Sequence, residues 1–104
     1  MLYVDVNPDS LKEEVIISVK GKIDTIGNDI FKNKVEPFIE DPSFKKVKVD
    51  LSDCDFITSV GLGALVSLHK RAESLGKRIV FTRLHKNVES IFKITNLYNF
   101  FNIE

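Results

Sequence analysis

Two adjacent hydroxyls, Thr58 and Ser59, stand where this chain can do chemistry. They end the segment Asp50-Leu-Ser-Asp-Cys-Asp-Phe-Ile-Thr-Ser59, read as a buried strand running into a loop. A Gly61-x-Gly63 step follows and enters a helix with a strong apolar stripe. A helix N-terminus carries partial positive charge and unpaired amides, so a serine there tolerates an added phosphate and presents its charge outward. Either hydroxyl can also cap the helix by accepting a bond from a free amide one turn in, typically worth about 1 kcal/mol. Capping and phosphoacceptance are compatible at one residue. Gly61 and Gly63 either let the helix approach the sheet closely or keep its entrance uncluttered for a partner.

The remaining reactive residues argue against an enzyme. His69 and His85 are read on a helix and in a loop, with no Cys or His at metal-ligand spacing, so neither metal nor cofactor is expected. His69 falls about 40° outside the core arc of its helix, which predicts a partly exposed structural histidine. Ser59 is preceded at two residues by Ile57, not glycine, so the Gly-x-Ser-x-Gly nucleophile elbow is missing. Ser-x-Gly-x-Gly also lacks the Gly-Lys-Ser/Thr ending of a P-loop. Cys54 is the single cysteine; it excludes an internal disulfide, has no Cys-x-x-Cys partner and fits a reducing compartment. Asp50, Asp53 and Asp55 are too irregularly spaced for a paired-carboxylate site and are expected in a solvated loop.

Strands and helices alternate around the hydroxyl pair. Leu2 to Val6 alternates weakly, and Asn7-Pro-Asp-Ser10 supplies turn chemistry toward a second strand through Val15, Ile17 and Val19, giving an N-terminal β-hairpin. Gly21 to Gly27 reads as an irregular connection carrying Asp24. Phe31, Val35 and Phe38 recur at i, i+4, i+7 and predict a helix across Asn28 to Glu40, with a kink or early end at Pro37. Lys46 to Leu51 is the next strand. Gly61, Ala64, Leu65, Leu68, Ala72 and Leu75 then share one arc of about 100°, the core stripe of the second helix, with Gly76 as its C-terminal cap. Leu62 and Val66 lie off that stripe. Either they pack under a neighbouring helix, or they form an apolar patch beside Ser59 suited to a partner.

Ile79, Val80 and Phe81 form a short strand, apolar throughout, as expected when both faces are covered. A third helix spans Asn87 to Thr95, and Asn99 to Ile103 offers a last edge strand. The order β-β-α-β-α-β-α predicts a single α/β domain over residues 1–104, with a mainly parallel central sheet, an N-terminal β-hairpin and helices packed on it. Asp24, Thr58 and Ser59 would converge on the edge at the carboxyl ends of the strands.

At 104 residues with 15 basic and 15 acidic side chains, the chain has one core and no field drawing it to nucleic acid or anionic lipid. No apolar run reaches the roughly 20 residues of a membrane span, and no signal-peptide pattern is present, so a cytoplasmic protein is expected.

Three segments resemble the STAS family, specifically the bacterial anti-sigma-factor antagonists. Gly21-Lys-Ile-Asp24 is similar to the Gly-x-hydrophobic-Asp step after the second strand, and Val47 to Phe56 to the central strand and following loop. Thr58-Ser-Val-Gly-Leu-Gly63 resembles the Asp-Ser-Ser/Thr-Gly-Leu-Gly signature, with Thr58 standing where aspartate is usual. The resemblance implies that Ser59 is the phosphoacceptor, with Thr58 a second candidate, and that Asp24, Thr58, Gly61, Leu62, Gly63 and Val66 belong to the partner-binding surface. It implies a partner-switching regulator: unphosphorylated, it binds an anti-sigma factor that is a serine kinase and so frees a sigma factor. Phosphorylation ends that binding, and a metal-dependent serine phosphatase restores it, so ATP and metal belong to the partners. The alternative is a STAS module that binds a small ligand such as a nucleotide or lipid directly.

Overall fold

The structure, a computed structural model, describes residues 2–104. Five strands form one sheet in sequence order: β1 (Leu2–Asp9), β2 (Glu14–Ile23), β3 (Lys46–Ile57), β4 (Arg78–Leu84) and β5 (Asn102–Ile103). β1 pairs antiparallel with β2, and every later pairing is parallel, as the alternating order requires. Three helices, α1 (Thr25–Glu40), α2 (Ser59–Ser74) and α3 (Lys86–Ile94), make the crossovers. The expected α/β sheet with an N-terminal hairpin is what forms. The hairpin turn lies later than expected, because β1 runs on to Asp9, which pairs with Glu14.

All three helices cover one face. Phe31, Val35 and Ile39 of α1, Leu65, Leu68 and Ala72 of α2, and Val88 and Phe92 of α3 join Val15, Ile17, Val49 and Phe81 in one buried cluster. The opposite face carries Ile16, which is 43% exposed, and the ion pairs Lys48–Glu14 (3.4 Å) and Lys46–Glu104 (3.1 Å). β4 is therefore covered by helices on one face only, contrary to the expectation from its apolar run. Val80 points to the polar face and is buried there between its register partners Lys48 and Asn102.

Other expectations need correction as well. Helix α1 begins at Thr25, not Asn28, because Asp24 caps it, and β2 continues to Ile23 through a bulge where Gly21 takes φ +110°. The helix ends at Glu40 as expected, so of the two outcomes expected at Pro37 an early end does not occur. The buried Lys77 ammonium donates to the Phe38, Ile39 and Asp41 carbonyls, and the Asp41 amide bonds to Pro37 O at 3.0 Å, holding that last turn. Leu75 is not core; it is the C-cap of α2, 40% exposed, where Gly76 (φ +73°) turns the chain out of the helix. His69 is not partly exposed but 3% exposed, because the chain after α3 folds back so that Phe100 and Phe101 pack their rings on it, at 4.8 and 5.7 Å.

The aspartates expected in a loop lie within β3. Two register shifts against β2 insert extra residues, so beyond Leu51 the buried positions fall every third residue, at Leu51, Cys54 and Ile57. Asp50 accepts from the Ser52 amide (2.9 Å) and from Arg83, and Asp55 pairs with Lys22 at 3.5 Å. The bulges carry β3 far enough to bring Ile57 level with Ile23, the last residue of β2. That alignment positions the site.

Candidate functional site: two helix entrances side by side

Because Ile23 and Ile57 are register partners in parallel strands, α1 and α2 start next to each other at the carboxyl edge of the sheet. The Asp24 carboxylate caps α1 by accepting from the Gly27 amide at 2.7 Å. Thr58 caps α2 by accepting from the Gly61 amide at 3.2 Å. The Thr58 hydroxyl also donates to Ile23 O at 3.3 Å, and its backbone amide bonds to the same oxygen at 3.0 Å. Thr58 is half-buried and committed on both sides of its oxygen, whereas Ser59, one residue on, is exposed at the first position of the helix.

The two glycines of the Gly61-x-Gly63 step have different jobs. Gly61 is buried, and a Cβ there would lie 2.7 Å from Ile23 O and 2.8 Å from the Cγ2 atoms of Ile23 and Ile57. It permits the close helix–sheet approach. Gly63 is exposed, and a Cβ there would meet nothing within 4 Å, so it leaves open surface one turn from Ser59. Leu62 and Val66 are half-buried and rest against the edge of the core, so each gives part of its surface to folding and keeps part accessible.

Four apolar residues of this edge were not singled out from the sequence. Ile26 is 78% exposed, Val60 49%, Phe56 44% and Ile30 37%. Ile26 and Ile30 line an open groove of about 230 Å³ with Leu2, Asp24 and Gly27. Their apolar types read as core. For two of them the signal is the likeness between Ile23-Asp-Thr-Ile-Gly27 and Ile57-Thr-Ser-Val-Gly61, in which Ile26 and Val60 hold the same second helical position.

Burial pushes the Cys54 thiol above its ordinary range, and its sulfur donates to Phe56 O at 3.6 Å. Among the described residues no group of His, Cys, Asp and Glu side chains could hold a metal ion, and no helix is long and apolar enough to cross a membrane.

Comparison with known proteins finds relatives of both sequence and fold. The chain is 31% identical over 91 residues to a Thermotoga neapolitana protein named as an anti-sigma factor antagonist, TM1081 homologue, covering 86% of this chain and 80% of that one. It is 22% identical over 102 residues to the anti-sigma-B factor antagonist of Bacillus subtilis, covering 98% and 92%. The fold superposes on unphosphorylated SpoIIAA, an anti-sigma factor antagonist, with a TM-score of 0.81 at 16% identity, over 98% of this chain and 88% of that one. The STAS domain model matches residues 4–104, nearly the whole of the single domain described above, and the chain belongs to the STAS family.

Proposed function

We propose that this protein is an anti-sigma-factor antagonist whose partner binding is switched by phosphorylation of Ser59. One observation carries the reading: at the paired helix entrances the Thr58 hydroxyl is spent on two hydrogen bonds, while its neighbour Ser59 is exposed beside the open surface at Gly63. The names of the relatives, anti-sigma factor antagonists, support the partner class. In this reading the unmodified protein docks on an anti-sigma serine kinase and thereby releases a sigma factor. Asp24, Gly63 and the accessible edges of Leu62 and Val66 meet the partner, and Thr58 and Gly61 hold the entrance from below.

The switch itself is a phosphoryl transfer. The Ser59 oxygen forms a bond to the γ-phosphorus of the kinase's ATP, the bond to the β,γ-bridging oxygen breaks, and ADP leaves. The hydroxyl proton passes to a base of the kinase. A phosphatase using a bound metal ion reverses the outcome by hydrolysis: a water oxygen bonds to phosphorus, the bond from phosphorus to the Ser59 oxygen breaks, that oxygen takes up a proton from the water, and inorganic phosphate departs. The added charge of about −1.5 to −2 opposes an acidic partner surface without refolding the domain. The protein itself contributes an acceptor and a surface, and no catalysis.

Incubation with an anti-sigma serine kinase and Mg·ATP, followed by mass-spectrometric mapping, tests the reading. Phosphate on Ser59 is expected. Phosphate on Thr58 alone would overturn the acceptor assignment, and no incorporation together with saturable binding of a nucleotide or lipid would favour the small-ligand reading.

A further inference from the structure

The flank of α1 that faces away from α2 carries an apolar groove that the switch at Ser59 does not use. Ile26 and Ile30 stand one turn apart on it and are exposed, whereas Phe31, Val35 and Ile39 of the same helix are buried. With Leu2, Asp24 and Gly27 they line the open groove of about 230 Å³ between α1 and the start of β1. Its floor is closed: Leu2 is buried, and a Cβ on Gly27 would lie 3.3 Å from Leu2 Cβ. A lone exposed aliphatic residue is ordinary on a protein surface. Two on one helix face above a buried leucine make a concave apolar seat, the form that receives an anchoring side chain at protein interfaces.

We infer that this groove is a docking seat for the anti-sigma kinase, taking an apolar side chain flanked by a lysine or arginine, and that it holds the kinase whether or not Ser59 carries phosphate. The inference rests on the proposed partner class and adds a contact that is separate from the switch.

Charge and position choose the occupant. Among the described residues the groove's one charged lining group is the Asp24 carboxylate, so a basic residue beside the inserted side chain is matched and an acidic one repelled. The register of Ile23 with Ile57 sets the α1 entrance beside that of α2, so a partner that covers Ser59 continues over Asp24 onto Ile26. A standard interface covers about 800 Å² on each partner, far more than one helix entrance offers. Position also keeps the seat out of reach of the phosphate. α2 lies on the opposite flank of α1, where Glu40 holds Arg71 at 2.8 Å, so the body of α1 stands between Ser59 and the groove. A helix is about 10–12 Å across with its side chains, more than the Debye length of about 8 Å at physiological salt. The phosphate therefore weakens the contact around Ser59 and leaves the groove contact as it was.

Ile26→Ser tests this in the intact protein, and because Ile26 is exposed the fold is kept. Phosphoserine incorporated genetically at position 59 supplies the modified form without a kinase reaction. Failure of Ser59 to accept phosphate from the kinase would thus sink the proposed switch and leave the groove to be judged by binding alone. In calorimetric titrations of the kinase, Ile26→Ser should weaken the unmodified protein about tenfold with its melting temperature unchanged. Displacement titrations should show the same factor in the phosphoserine protein, the two losses adding as they do for separate sites. Asp24→Asn, which keeps a competent cap, should weaken binding and flatten its dependence on salt. Ile26→Ser binding like the parent, a loss confined to the unmodified form, or an unchanged salt dependence in Asp24→Asn would overturn the inference. So would a concentration-dependent self-association that Ile26→Ser abolishes, which would give the groove to a second copy of this chain.

Discussion

The carbonyl of Ile23 accepts from both the backbone amide and the hydroxyl of Thr58, at 3.0 and 3.3 Å, so the entrance of α2 hangs from the last residue of β2. Ser59 owes its place to that joint. The hydroxyl nearest the strand is held down, and the next one faces out.

Gly61 is what lets the joint close, and this separates it from Gly63. Gly61→Ala would drive a methyl against Ile23 O and two isoleucine Cγ2 atoms, and should cost about 1–3 kcal/mol of stability or more. Gly63→Ala meets open space, so its melting temperature should match or slightly exceed the parent's while partner affinity falls. Thermal melts beside binding titrations read both effects. Equal destabilisation by the two alanines would contradict the division of labour.

Leu65 and Leu62 provide a second contrast on the same helix. Leu65 is 2% exposed within the core, and Leu65→Ala should lose about 2–5 kcal/mol. Leu62 only rests against the core edge, so Leu62→Ala should lose clearly less stability and proportionally more affinity. Urea unfolding of both variants measures the first part. A Leu62→Ala loss as large as that of Leu65→Ala would assign Leu62 wholly to folding.

Much of this architecture is legible in the residues themselves. Element order, the sheet and the convergence of Asp24, Thr58 and Ser59 on one edge follow from the alternation of Val15, Ile17 and Val19 and the stripe of α2. What hides is whatever depends on tertiary register. The period-three burial of Leu51, Cys54 and Ile57 matches neither a regular strand nor a helix, so the aspartates between them pass for a loop. Ile26 and Val60 are apolar by type yet exposed, each standing directly before a glycine packed closely on a strand carbonyl. His69 is hidden by aromatic residues some thirty positions away, which no helical wheel contains.

The bulged part of β3 also carries a pH signature. Burial raises the Asp50 carboxyl, but the Ser52 amide and the Arg83 guanidinium outweigh it and hold the group below the ordinary carboxylate range. A folded-state value below the unfolded one of about 3.9 means that the unfolded chain binds the proton more tightly. The stabilisation is therefore fully present above about pH 4 and lost as pH falls through the folded value. Arg83→Ala should lower stability at pH 7 by about 0.5–1 kcal/mol, and by progressively less as pH falls through the folded value, flattening the acid limb. A loss that stays constant down the acid limb, read by urea unfolding, would show that Arg83 acts through packing and not through Asp50.

The central claim is that phosphate on Ser59 breaks a partner contact without unfolding the domain, and a calorimetric titration of the anti-sigma kinase tests it most directly. Unmodified protein and Ser59→Ala should bind alike, and Ser59→Asp should bind more weakly because aspartate carries about half the charge of a phosphate. Protein phosphorylated at Ser59 should lose about 100-fold or more in affinity, equivalent to roughly 2.8 kcal/mol or more. Thermal melts on the same samples should show every one of them folded. Phosphorylated protein that binds the kinase as tightly as the unmodified protein would contradict the account.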